Sequence, residues 1–129
     1  MPDWLYHQST GDIYYLNGVI APVETAYSGY GSCKNNPDMQ GIKSLGPIPI
    51  GDYQVGDVTT IHNGSIKNAI PLVPFASNHM FGRDGFFMHG DGTVEPGKAS
   101  EGCIVCSLQT RLKVASSRPT VLHVVRGNG

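Results

Sequence analysis

The chain predicts a mainly β fold, a small sandwich or open barrel with one helix, and three features point there. Seventeen glycines and nine prolines in 129 residues require many turns, hence short strands rather than long helices. Between the turns lie short apolar runs rich in aromatic and β-branched residues. After Cys103 the apolar spacing lengthens to three or four residues, the period of a helix. A chain of this length is one domain, residues 1–129, able to bury a small core.

The elements follow in order. Trp4-Leu5-Tyr6-His7-Gln8 and Ile13-Tyr14-Tyr15-Leu16 flank Ser9-Thr10-Gly11-Asp12, which reads as a hairpin. Val19 to Tyr27 continues as a third strand, and Ser28 to Ser44, rich in Gly, Asn and Lys, reads as a long loop across one face. Ile48 to Val58 resumes strand-like spacing. Ile70 to Phe75 is apolar, but Pro71 and Pro74 reduce it to an edge strand at best. Asp84 to Met88 has the character of a buried strand, with His89 where it leaves the core. Ile104, Val105, Leu108, Leu112 and Val114 predict an amphipathic helix opened by Cys103. Thr120 to Val125 is a β-branched closing strand.

Composition excludes several classes. A net charge of −1 offers no electrostatic reason to bind nucleic acid or an anionic membrane. No run approaches the roughly 18 apolar residues of a membrane span. Met1-Pro2-Asp3-Trp4 lacks the regions of a secretory signal, so the chain is expected to be made in the cytoplasm without a signal peptide. No long heptad argues for assembly, and a monomer is expected.

Chemistry concentrates in Phe86-Phe87-Met88-His89-Gly90-Asp91 and Ala99-Ser100-Glu101-Gly102-Cys103-Ile104-Val105-Cys106. A thiol is nucleophilic as thiolate, and a nearby imidazole can take its proton, so the pair reads as a Cys-His catalytic site. Cys103 at a helix start would have its pKa lowered by the dipole, and the backbone N–H groups there could receive an oxyanion. Gly102 would clear a path for substrate. Cys33, Cys103 and Cys106 are odd in number and form no disulfide framework. Cys103-x-x-Cys106 could be a redox pair or half of a zinc site with His89 and Asp91, but motif context favours a nucleophile, with no metal or cofactor. Cys106 reads as a buried helix residue. Ser100 either fixes the turn before the thiol or is an ordinary loop serine. Arg83 is the candidate substrate-binding residue, its planar fork suiting a carboxylate, the alternative being an ion pair with an acidic neighbour. His7, His62, His79 and His123 read as surface or packed histidines, and Tyr27, Ser28 and Tyr30 as groove or core residues.

His89-Gly90 with Ser100-x-Gly102-Cys103-Ile104 resembles the L,D-transpeptidase catalytic domain, and within it the type VI secretion L,D-transpeptidase effectors. Gly46-Pro47-Ile48-Pro49-Ile50-Gly51-Asp52-Tyr53 and Phe81-Gly82-Arg83-Asp84-Gly85-Phe86 are also similar to that family, so the resemblance runs from about Ala26 onward. The cell-wall crosslinking enzymes usually carry histidine where Glu101 stands, which favours the effector branch.

The resemblance implies an L,D-transpeptidase-like β-sandwich with one helix following the catalytic cysteine. It also implies a thioester mechanism: Cys103 as nucleophile, His89 as base, the Gly90 carbonyl orienting the imidazole, with Asp91 the alternative orienter, and Ser100 and Gly102 shaping the approach. The expected activity is L,D-carboxypeptidase or transpeptidase action on peptidoglycan stem tetrapeptides, with water or free D-amino acids as acceptors. Expected partners are a cognate immunity protein and secretion machinery, and the expected site of action is the periplasm of a target bacterium. Another Cys-His peptidoglycan endopeptidase and a non-enzymatic cell-wall-binding module remain open as alternatives.

Overall fold

Trp4–His7 (β1) and Asp12–Tyr15 (β2) form the expected antiparallel hairpin, with Leu5 opposite Tyr14. Strand alternation turns Trp4, Tyr6 and Ile13 inward, where all three are fully buried. The computed structural model describes residues 2–61, 63–91, 97 and 100–127; His62 and Ala99 lie outside the described residues.

The third strand is shorter than its sequence suggests. It is reduced to Glu24–Thr25 (β3) and Tyr27–Ser28 (β4), while Val19 and Ile20 are exposed. Pro22 lacks the N–H a ladder would use. The residues from Ser28 to Ser44 form the expected long loop, with single 3-10 turns at Gly31–Cys33 and Pro37–Met39.

Gly51–Val55 (β5), Thr59–Ile61 (β6), Ile66–Pro74 (β7), Phe87–His89 (β8) and Ile104–Val105 (β9) follow. The helix Leu108–Ser116 (α1) and the closing strand Val121–Val125 (β10) complete the chain. The strands form one sheet in the order β3-β2-β1-β10-β5-β7-β8-β9-β4, with β6 beside β7. The two ends of that order, β3 and β4, are separated in the chain by Ala26 alone. The sheet therefore curls until its edges nearly meet, giving the mainly β fold with a single helix.

β7 corrects the expectation of an edge strand. It is nine residues long and central, pairing with β5, β6 and β8. Its prolines are tolerated by position. Pro71 accepts from the Gly56 N–H (2.8 Å) just beyond the end of β5, and Pro74 is the last residue of the strand.

The helix is the second correction. It begins at Leu108, five residues after Cys103, and Ser107 is its N-cap, accepting from the Thr110 N–H (3.2 Å). Ile104 and Val105 pair instead with β8 and β4, as β-branched residues favour. The cap sets the helix phase, so the buried face is Thr110, Arg111, Val114 and Ala115, whereas Leu108 and Leu112 are each 44% exposed. Cys106 is buried, but in the loop before the helix rather than within it.

His123 on β10 reaches Asp52 through Nδ1 (2.7 Å) and Asp3 through Nε2 (2.9 Å). Burial works against the imidazolium, but the two carboxylates outweigh it and hold its pKa above the ordinary value. The same contact holds Asp3 below its own. The His123 contribution to stability is complete below the unfolded value of 6.5 and is lost as pH rises through the higher folded one. The Asp3 contribution is present above 3.8 and is lost as pH falls through its lower folded value. Thermal melts from pH 4 to 9 should show wild type exceeding His123→Gln most between these limits, by at most about 1 kcal/mol because the pairs are partly exposed. A difference that grows above pH 8 would contradict this linkage.

Candidate active site

The parallel pairing of β8 with β9 brings two distant segments together. Met88 lies opposite Ile104 and His89 opposite Val105. Cys103, one residue ahead of β9, is thus about two residue steps from His89 on the neighbouring strand, roughly 8 Å between backbones.

His89 is 7% exposed. Its Nδ1–H donates to the Gly90 carbonyl at 2.9 Å, which leaves Nε2 as the basic nitrogen. Its own carbonyl accepts from the Cys106 N–H (3.0 Å), tying His89 to the residue that follows β9. Asp91 does different work: its carboxylate accepts from the Tyr27 hydroxyl (2.6 Å) and from the Gly97 N–H (2.9 and 3.0 Å).

Cys103 is partly exposed and lines a cavity of about 230 Å³ with Arg83, Phe86 and Glu101. Burial pushes its thiol pKa up and Glu101 adds to this, while the Phe87 N–H and the Arg83 charge pull the other way without offsetting burial. The expectation of a thiol acidified by a helix N-terminus fails because β9 stands between Cys103 and the helix. A base is therefore needed to generate thiolate near neutral pH. Burial pushes the Cys106 thiol up to about 12. Among the described residues no group of three His, Cys, Asp or Glu side chains is arranged to hold a metal ion.

Ser100 is fully buried, and its hydroxyl uses its whole hydrogen-bonding capacity. It accepts from the N–H of Gly29 (2.9 Å) and of Gly102 (3.1 Å) and donates to the Cys103 carbonyl (2.6 Å). Ser28, also fully buried, donates to the Gly102 carbonyl (2.9 Å) and accepts from the Ile48 N–H (2.9 Å). Two serine hydroxyls thus fix the backbone leading to the thiol. Ser100→Ala strands three buried backbone groups and should cost about 2–3 kcal/mol, measured by chemical denaturation. A loss below 0.5 kcal/mol, on the order of a surface change, would contradict this role.

Gly102 has a backbone and packing reason for being glycine. Its φ is +133, and a Cβ there would lie 2.4 Å from Arg83 Nη2 and 3.0 Å from the Phe86 ring. Arg83, 6% exposed, uses both terminal amino groups on backbone carbonyls: Gln40 and Pro47 (2.8 Å) from Nη1, Gly46 (2.9 Å) and Glu101 (3.2 Å) from Nη2. It also lies over the Phe86 ring at 5.2 Å. The alternative of a simple ion pair with an acidic neighbour does not describe this arrangement.

His7 packs on Tyr14 and His79 on Phe81. Of the six sequence-predicted site residues, Arg83 and Cys103 line one cavity and His89 and Gly90 another, Ser100 and Gly102 lie in the turn before Cys103, and the β8–β9 pairing joins the two segments. Sequence reasoning gave no such place to Arg111, a charged residue in a helical pattern. It became visible only once the helix phase was known.

A family model described as Tlde1 domain matches residues 23–126, a span that contains every one of these residues. Neither a curated protein nor a solved structure matches the chain. No helix among the described residues is long and apolar enough to cross a membrane.

Proposed function

Because this chain belongs to the Tlde1-domain family, type VI secretion effectors of the L,D-transpeptidase kind directed at peptidoglycan, we propose that it is a cysteine L,D-carboxypeptidase and L,D-transpeptidase. The observation that carries the reading is the β8–β9 junction, with a buried His89 bonded to the Gly90 carbonyl and Cys103 one residue ahead of the adjoining strand.

Cys103 attacks the carbonyl of the diamino acid at the third position of a stem tetrapeptide, and His89 Nε2 takes the thiol proton. The tetrahedral intermediate collapses with cleavage of the C–N bond, and the imidazolium gives the proton to the departing D-alanine amine. The product is a thioester on Cys103. Water then yields a tripeptide, and a D-amino acid amine yields an exchanged tetrapeptide. In each case His89 deprotonates the incoming nucleophile, and the thiolate leaves and is reprotonated. Ser100 and Gly102 position the thiol, and Arg83 adds a fixed positive charge to the cavity where a stem carboxylate would lie. Removal of tetrapeptide donors in the periplasm of a target bacterium accounts for toxicity, with a cognate immunity protein protecting the producer and secretion machinery delivering the chain.

The test is incubation of the purified protein, and of Cys103→Ala, with disaccharide-tetrapeptide, with and without a free D-amino acid, followed by mass spectrometry. Tripeptide or exchanged tetrapeptide formed only by wild type is expected. Release of a dipeptide would identify an endopeptidase instead, and full toxicity of Cys103→Ala would identify a binding module.

A further inference from the structure

Arg111 is a buried cation that nothing above employs. It is 7% exposed, and no described carboxylate lies within ion-pair distance of it. Its Nε–H donates to the Ser107 carbonyl (3.3 Å), and Nη1 donates to the carbonyls of Asn68 (2.9 Å) and Lys67 (3.5 Å). Among the described residues Nη2 has no hydrogen-bond partner. An unpaired buried guanidinium is costly unless an anion completes it.

The space for that anion is present. Arg111 lines a cavity of about 430 Å³ with His89, Gly90, Asp91, Lys67 and Leu108. Nη2 lies over Gly90: a Cβ on that residue would come to 3.0 Å from it. Gly90 therefore keeps the guanidinium within reach of the region the base serves. Among the described residues the charge balance of this wall is positive, with Arg111 and Lys67 against Asp91, whose carboxylate already takes the Tyr27 hydroxyl and the Gly97 N–H.

The chemistry says which anion belongs there. His89 hands its proton to the amine of the departing D-amino acid, so that amine is at the imidazole when the bond breaks. Its α-carboxylate carbon is then roughly 2.5 Å from the amine nitrogen, by ordinary N–Cα and Cα–C lengths. A cation serving the leaving group must lie on the His89 side of the reaction centre. Arg83 lies in the cavity with Cys103, whereas Arg111 lies in the one with His89.

We infer that Arg111 recognises the α-carboxylate of the D-amino acid that leaves, and of the D-amino acid that replaces it in exchange. The inference rests on the transpeptidase reading. It makes the enzyme an exopeptidase by construction, because only a C-terminal residue presents a free carboxylate next to the scissile amide.

The experiment compares disaccharide-tetrapeptides ending in D-alanine and in D-alaninamide, using wild type, Arg111→Gln and Arg111→Lys. Wild type should prefer the carboxylate by on the order of 10²-fold in kcat/KM. Arg111→Gln should lose that preference mainly through KM, with the amide substrate changed by no more than about threefold, and Arg111→Lys should recover part of it. Equal turnover of both substrates by wild type would overturn the inference while leaving the transpeptidase reading intact. An equal fall on both substrates in folded Arg111→Gln would show a clamp between helix and β7 only. A second arm follows D-alanine and D-alaninamide binding to Cys103→Ala by NMR titration. Binding of D-alanine alone, abolished by adding Arg111→Gln, supports the carboxylate site even if wild type cleaves neither peptide, in which case the transpeptidase reading is what fails.

Discussion

A His89→Gln protein is expected to lose about 10²- to 10⁴-fold in kcat on the tetrapeptide while remaining folded. The Cys103 thiol is held above the ordinary range, chiefly by burial, so thiolate is scarce near neutral pH without a base at hand. Glutamine is close in size to histidine but supplies no basic nitrogen. Without the base, deprotonation falls to hydroxide. The residual rate in His89→Gln should then rise close to tenfold per pH unit until the raised thiol value is passed. Iodoacetamide alkylation of Cys103 should show the same slope, followed by intact-protein mass spectrometry. A variant within threefold of wild type at pH 7 in both assays would remove His89 from the base role.

Arg83→Met is expected to have the largest effect on stability. The guanidinium joins the carbonyls of Gln40, Gly46 and Pro47, in the connection before β5, to that of Glu101, in the connection before β9. Methionine preserves much of the stem and its packing on Phe86 but leaves those carbonyls without their donor. The expected cost is about 3–5 kcal/mol, enough to lower Tm by roughly 10 °C or more in a domain of this size. Activity should fall even at temperatures where the variant is folded, because Gly46 and Glu101 help hold the backbone around Gly102 and Cys103. Arg83→Lys should recover little, since an ammonium cannot span four carbonyls in one plane. A variant that melts within 2 °C of wild type, less than about 1 kcal/mol, would show that the clamp is incidental.

The pieces of the site that a reader of the sequence could find are those whose chemistry is local. The Nδ1–H bond from His89 to Gly90 joins neighbouring residues, and the Ser100 hydroxyl reaches Gly102 and Cys103 within its own turn. The pieces that could not be found depend on distant partners. Ser28 meets Gly102 across the sheet edge, and Arg83 meets two distant segments at once. The roll of the helix depended on which residue capped it. Cys103 had the plausible sequence context of a helix start, but pairing on both sides of Ile104 and Val105 drew those residues into the sheet.

The amino-acid sequence by itself determined the mainly β character, the hairpin of β1 and β2, and the existence of one helix after Cys103. Alternation, turn residues and short motifs are all readable over a few neighbouring positions. The tertiary structure alone decided that the sheet nearly closes, that β7 is central despite its prolines, that the Cys103 thiol is held up by burial rather than acidified by a helix, and that Arg83 lines the cavity of Cys103 while Arg111 lines the cavity of His89. Each of these follows from which distant strand or carbonyl a residue meets, and long-range pairing is set by the whole core at once rather than by the residue's neighbours in the chain.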